Sequence, residues 1–452
     1  MKLILAILLG KLILFLTRNF KIGGGSAAPG LYALSIEPDL VAKLAAKIPK
    51  NVVITGTNGK TTTAKMLAHF AKETGLKVIR NHTGSNLERG IASAFIQNLR
   101  LHPKGVKLNH DIGIWELDEA AFNAVAPKLQ PDIVVFLNVF RDQLDRYGEI
   151  DTVIKNWYQA LKKLSSETAV LVNGDDANIL KLAACFRGKV QTFGVQNCKI
   201  AGEEIERQKE QENLDFEAKN VKTSGLTGSL FQLTINNELL TVNLPLPGIY
   251  HIYDFLAAFT TGTILNIDPD KMVLSLKTYS PAFGRVEKFH LNPTFHRTPT
   301  SEVEYMGYIF LIKNPAGATQ VFKTIAPNIK PGDRILLALN DNIADGTDVS
   351  WIWDANFESL RNSSNLSERA QSRDYTIITS GIRANDLALR LKYANFNPKE
   401  IVVEPDLKQA LKQAGVGLKG KLFILPTYTA MLKLQSILTK ASIKKHYWEE
   451  DN

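Results

Sequence analysis

Short apolar runs separated by stretches of helical spacing recur along most of the 452-residue chain. The early runs are Val52-Val53-Ile54, a strand ending near Asn81, Asp111–Leu117, Ile133–Leu137 and Ala169–Val172. Between them apolar positions repeat at helical intervals, as with Met66, Leu67 and Phe70 on one face. Strands alternating with helices predict a mostly parallel, doubly wound α/β sheet. The pattern changes between Cys198 and Leu244. Glu203–Lys222 is rich in Lys and Glu and reads as solvated. Leu230–Leu244 alternates apolar and polar around Asn236-Asn237, which predicts a small β insertion with a hairpin turn. Pro245-Leu246-Pro247-Gly248 then leads into a helix carrying Tyr250, Tyr253, Phe255, Leu256 and Phe259. From about residue 280 a second, Rossmann-like α/β unit is expected. Its strands are Tyr308–Ile312, Ile335–Leu339, Thr376–Thr379, Ile401–Val403 and Leu422–Leu425. Phe283-Gly284-Arg285-Val286-Glu287 reads as a hinge before it, and Ser359–Arg373 as a surface loop.

The first 20 residues are mostly apolar but are interrupted by Lys2, Lys11 and Arg18. A spanning helix needs about 20 mostly apolar residues, and Lys11 stands in the middle of this stretch. Two readings are preferred: a helix packed on the protein, or one lying at a membrane surface. A Gly- and Pro-rich linker, Gly23-Gly24-Gly25-Ser26 and Pro29-Gly30, follows. The expected division is 1–37 for the apolar helix and linker, 38–279 for the first α/β domain with an insertion at about 198–244, and 280–452 for the second α/β domain.

The chemistry concentrates at Thr55-Gly56-Thr57-Asn58-Gly59-Lys60-Thr61-Thr62. An apolar strand, a glycine-bearing turn, Lys-Thr and a helix form the layout of a phosphate-binding loop. Glycines let backbone N–H groups approach phosphate oxygens, and the helix N-terminus adds positive partial charge. Lys60 is placed for the β- and γ-phosphates and the Thr61 hydroxyl for Mg²⁺. Carboxylates at the end of a neighbouring strand, Glu116, Asp118 and Glu119, stand where a parallel sheet presents ligands to such a metal. Glu116 is the strongest candidate because it follows Trp115 inside the apolar run.

Composition narrows the class. A net charge of +9 suits an acidic ligand or an anionic surface. No arginine-rich tract or nucleic-acid module is visible, so nucleic acid is not an expected partner. The chain has two cysteines, Cys185 and Cys198, without a CxxC pair. That argues against a disulfide scaffold and against a cysteine-based zinc site.

Several segments together resemble the Mur ligases, and more narrowly the MurT family, the ligase-like subunits of lipid II isoglutaminyl synthase. They are Thr55–Thr62, Gly23–Gly30, Asn138–Gly148, Leu246-Pro247-Gly248-Ile249-Tyr250 and Phe283-Gly284-Arg285. In the second half they are Lys313–Gly317, Ala344–Asp354, Ser380–Ala384 and Leu425–Met431. The resemblance implies a Mur ligase middle domain followed by a MurT-type C-terminal domain. It implies ATP-dependent amidation of the α-carboxylate of D-glutamate in the lipid II stem peptide, through an acyl phosphate, giving D-isoglutamine. It also implies ammonia from a GatD-type glutaminase partner, and a cytoplasmic protein that could sit at the inner membrane face.

By that resemblance Thr57, Asn58, Gly59, Lys60, Thr61, Thr62, His251, Asp254 and Arg285 face the nucleotide. Thr61 and Glu116 hold Mg²⁺. Asp354 is the aspartate lent to the partner's Cys-His pair, with Asp348 and Asp345 as runners-up. Without the resemblance Asp354 reads as a helix N-cap before Phe357. The chain departs from the family in three places. The four-cysteine zinc ribbon is missing from about Lys199–Thr227, so zinc is not expected. His251 and Asp254 stand where asparagines are usual, which bears on base choice. The stretch between Phe289 and Tyr305 fits the pattern poorly. A stand-alone carboxylate–amine ligase and a non-catalytic nucleotide-binding scaffold remain the competing readings.

Overall fold

The computed structural model describes residues 1–19, 27–81, 85–103, 105–140, 150–196, 214–235, 238–281, 284–291, 305–361 and 376–440. Lys50–Thr55 (β1) is buried at every position after Lys50 because both faces of its sheet are covered, as in parallel sheets. That sheet has nine strands in the order β11-β10-β9-β8-β7-β6-β1-β5-β2. Its members are β2 (Val78–Arg80), β5 (Ile112–Leu117), β6 (Ile133–Phe136), β7 (Ala169–Asn173), β8 (Val190–Val195), β9 (Phe216–Thr223), β10 (Ser229–Ile235) and β11 (Glu238–Leu244). Every neighbouring pair from β2 to β9 is parallel. The predicted hairpin is present: β10 and β11 pair antiparallel, with Ile235 opposite Glu238. It extends the main sheet through β9. The turn residues 236–237 and the stretch 197–213, Cys198 included, lie outside the described residues.

Alternation within β1 separates two apolar layers. Val52 and Ile54 meet Met66 and Phe70 of the helix Lys60–Glu73 and Phe255 of the helix Ile249–Ile264. Phe70 and Phe255 meet edge to face at 6.2 Å. Val53 and Trp115 face the opposite layer, with Phe95, Phe122 and Trp157. A small antiparallel pair, β3 (Arg100–His102) with β4 (Gly105–Lys107), stands apart from both sheets.

The second sheet has six strands in the order β12-β13-β17-β14-β15-β16. They are β12 (Arg285–Leu291), β13 (Tyr305–Phe310), β14 (Arg334–Ala338), β15 (Thr376–Ser380), β16 (Ile401–Val403) and β17 (Leu422–Pro426). All pairs are parallel except β12 with β13. The expected hinge is instead a structured strand entry. Gly284 takes a positive φ of 73°, and its N–H and the Gln435 side-chain amide both donate to the buried Glu287 carboxylate. Phe283 and the poorly fitting stretch 292–304 are outside the described residues, as is most of the expected surface loop.

At the N-terminus α1 (Lys2–Asn19) and α2 (Ala28–Ile36) pack on the helix Glu88–Asn98. Gly30 makes this possible, because its N–H bonds Ser93 Oγ at 2.8 Å. A Cβ there would stand 2.0 Å from the Arg89 carbonyl oxygen. Gly30→Ala is therefore expected to destabilise the chain by about 2 kcal/mol, read as a lower urea midpoint at unchanged slope; an unchanged midpoint would mean that this contact is loose.

Candidate nucleotide site

β1 ends at Thr55, and the chain turns through Gly56 and Gly59 before the helix that starts at Lys60. Both glycines have positive φ, 142° and 92°. At Gly59 a Cβ would lie 2.2 Å from Asp254 Oδ1, so the close approach of loop and helix also requires glycine.

The loop is held from two sides. Asn138, just beyond β6, accepts Thr57 N–H on its carbonyl at 3.0 Å and Asn58 N–H on its side-chain oxygen at 2.8 Å. From the second α/β unit, Lys313 Nζ donates to the Thr57 carbonyl at 3.2 Å. Asn314 exchanges side-chain amide bonds with Asn58 at 3.0 and 3.3 Å. The amides of Thr57 and Asn58 thus shape the loop. Anion binding falls to the first-turn N–H groups of the following helix, which have no intrahelical acceptor.

Lys60 is buried, donates to the Gly56 carbonyl and stands 3.4 Å from Glu119 and 3.6 Å from Asp118. Asp118 and Glu119 therefore serve the lysine in this structure. Thr61 Oγ1 donates to Glu116 Oε2 at 2.8 Å, so the two predicted metal ligands are neighbours. Asn81 fixes Glu116 by bonding both its N–H and its carbonyl at 2.9 Å. Burial pushes the Glu116 carboxyl above its ordinary value, against the pull of Arg80, the Thr61 hydroxyl and Lys60. Among the described residues no group of three or more His, Cys, Asp or Glu is gathered for a metal. Cys185 is exposed with a free thiol.

A cleft opens beside the loop, between the two sheets. Asn58, Gly59, Thr62 and Asn138 form one wall, Tyr250, His251 and Asp254 a second, and Arg285, Phe310, Gly317 and Gln320 a third. The helix carrying His251 and Asp254 is tied to the sheet by Tyr253, whose hydroxyl donates to Asp175 at 2.7 Å. His251 Nδ1 and Asp254 Oδ2 are 3.0 Å apart and both residues are buried. Burial raises the Asp254 carboxyl, opposed by His251 and Arg285, and lowers the Arg285 guanidinium. His251 Nε2 is buried without a hydrogen-bond partner among the described residues.

A family model for the Mur ligase middle domain matches residues 54–262, and one for the MurT ligase C-terminal region matches residues 311–431. Subunit MurT of the glutamine-hydrolysing lipid II isoglutaminyl synthase of Streptococcus pneumoniae is 31% identical over 94% of both chains. The chain belongs to the MurT family of Mur ligases. The Staphylococcus aureus (strain COL) MurT subunit is 29% identical over 92% of this chain and 93% of that one. The fold is shared with MurF ligase of Thermotoga maritima, solved in complex with ADP, at a TM-score of 0.62 and 14% identity. That match covers 90% of this chain and 84% of the other.

The MurT-type C-terminal unit also carries Asp354, at the end of the short helix Trp351–Asp354 and exposed. The N-cap before Phe357 is Asn356, whose side chain accepts Ser359 N–H at 3.0 Å; Asp354 does not cap that turn. Asp345 is committed to Thr429, accepting its N–H at 2.7 Å and its hydroxyl. Asp348 accepts Ser350 N–H at 2.8 Å. The helix is pinned by a residue that no sequence signal flagged. Buried Arg390 donates to the carbonyls of Ile352 and Ala355 and makes two 2.9 Å bonds to Glu358. Burial would raise the Glu358 carboxyl, but Arg390 outweighs it and holds the group below its ordinary value. Such a depressed carboxyl adds stability above its unfolded pKa and loses it as pH falls through the folded one. Glu358→Gln should thus lower the melting temperature at neutral pH. The difference from wild type should close on acidification; a gap constant with pH would mean that the ion pair contributes nothing.

Proposed function

We propose that this chain is the ligase subunit of a lipid II isoglutaminyl synthase. In this reading it uses ATP to amidate the α-carboxylate of D-glutamate in the stem peptide, giving D-isoglutamine, with ammonia from a GatD-type glutaminase. The observation that carries the reading is the cleft itself. In a MurT family chain, a phosphate-binding loop with an adjoining Thr61–Glu116 pair is closed by Lys313 and Asn314 of the C-terminal unit. We divide the chain functionally at 37/38 and 279/280, with the insertion at about 198–244 belonging to the middle domain.

A carboxylate is a poor acyl donor. Its oxygen attacks the γ-phosphorus, the bond to the bridging oxygen breaks and ADP leaves. Ammonia then attacks the acyl carbon, phosphate departs, and the nitrogen loses a proton. In this scheme Gly59 admits the phosphates and the first-turn amides at Lys60, Thr61 and Thr62 receive them. The Lys60 ammonium exchanges its acidic neighbours for phosphate oxygens and offsets charge at the transferring group. Thr57 and Asn58 hold the loop in shape. His251, Asp254 and Arg285 contact the nucleotide, Asp254 accepting from a base amino group and His251 Nε2 gaining the partner it lacks. The Thr61 hydroxyl and Glu116 carboxylate are hard oxygen donors that fit Mg²⁺ and would hold it. Held there, Mg²⁺ would neutralise phosphate charge. Asp354 would orient the partner's histidine and support its positive charge.

Among the described residues no helix is long and apolar enough to cross a membrane. The reading places the body in the cytoplasm, at the inner face of the plasma membrane where lipid II is presented.

Lys60→Ala should abolish ATP-dependent amidation while circular dichroism stays native; wild-type turnover would refute the assignment of the loop. Asp354→Asn should block amidation driven by glutamine and spare amidation driven by free ammonium salts. If both rates survive, Asp354 is structural and the partner supplies its own triad.

A further inference from the structure

The way α1 docks is unusual for a leucine-rich helix. Its packed side holds Ala6, Ile7 and Gly10. Gly10 sits so close to the neighbouring helix that a Cβ would lie 2.5 Å from Ile96 Cδ1. Most of its bulky side chains point the other way. Ile4, Leu5, Leu8, Leu12, Phe15 and Leu16 are between 39% and 62% exposed. At about 100° per residue these six fall within an arc of roughly 120°, one continuous apolar stripe directed away from the protein. Leu31 and Tyr32 of the adjoining α2 are exposed as well.

The charged residues of α1 are all cationic; Glu37, the acid near Lys2, is buried and paired with Lys43 at 2.7 Å. Lys2 and Arg18 flank it on its two sides. Lys11 is held in by donating to the Ile96 carbonyl at 3.1 Å. The first acidic residue of the chain is Glu37. An apolar stripe with cationic borders suits the boundary between headgroups and acyl chains of an anionic bilayer, with Lys2 and Arg18 reaching the phosphates. The charge argues against a second copy, because two such faces would bring like charges together.

We propose that α1, with Leu31 and Tyr32 of α2, is a membrane-docking element that lies in the plane of an anionic lipid surface. Its small-residue face fixes the helix to the protein, so the body docks in a set orientation. The proposal goes beyond the amidation reading and needs neither lipid II nor nucleotide.

The test is co-sedimentation of the full chain with vesicles of phosphatidylglycerol and phosphatidylcholine in equal parts, against phosphatidylcholine alone. Wild type should pellet with the anionic vesicles, less so as salt rises. Leu8→Asp with Leu12→Asp and Phe15→Asp should lower the partition at least about tenfold at an unchanged melting temperature. Lys2→Glu with Arg18→Glu should reduce it on anionic vesicles. Phe15→Ser with Leu16→Ser, which spares the packed face, gives a partial loss and serves if the aspartate variant fails to fold. Wild type that stays in the supernatant overturns the proposal, as does binding that survives these replacements. A dimer by light scattering that the aspartate variant dissociates would assign the face to a second copy instead.

Discussion

The loop between β1 and the helix Lys60–Glu73 cannot hold its own shape, and the rest of the molecule is arranged to hold it. Two of its residues take positive φ, and its amides at Thr57 and Asn58 need acceptors away from water. Asn138 supplies both from the neighbouring strand of the same sheet. Asn314 and Lys313 close the other side from the second sheet. A phosphate site formed this way depends on both α/β units at once. The shape of the loop is therefore coupled to the position of the second unit through Lys313 and Asn314.

Charge is distributed to the same end. Glu116 sits fully in the sheet, kept there by Asn81 and by the Thr61 hydroxyl. Lys60 is packed between its own loop and the Asp118–Glu119 pair. Across the cleft, His251, Asp254 and Arg285 lie in the walls, with burial raising the Asp254 carboxyl and lowering the Arg285 guanidinium. Lys60 and Glu116 are each held by polar partners, whereas His251 Nε2 is left without one among the described residues.

Much of this was legible from sequence, for a physical reason. Strands buried on both faces read as near-continuous apolar runs, so Val52–Ile54, Ile112–Leu117 and Ile133–Phe136 announced themselves. The loop glycines and the Lys60-Thr61 pair carry a local backbone requirement, and Glu116 sat as a lone acid in an apolar run. Contacts between residues far apart in the chain had no such mark. Asn58, Asn138 and Asn314 look like ordinary turn asparagines until the fold brings them together. Arg390 reads as one more charge on an amphipathic helix, yet it is buried and pins the Asp354 segment. The cap before Phe357 fell to Asn356, one of two suitable residues two positions apart. For α1 the composition allowed a packed or a surface helix. Only the structure showed that Gly10 and Ala6 take the packed side and leave the leucines outside.

The most direct measurement of the central claim uses the chain co-expressed with a candidate GatD-type glutaminase subunit. The purified pair is given lipid II, MgATP and glutamine, and the stem peptide is weighed. The account predicts a loss of about one dalton at the glutamate, carboxylate to carboxamide, that depends on both ATP and glutamine. A stable pair that binds MgATP yet leaves the stem peptide mass unchanged would contradict it.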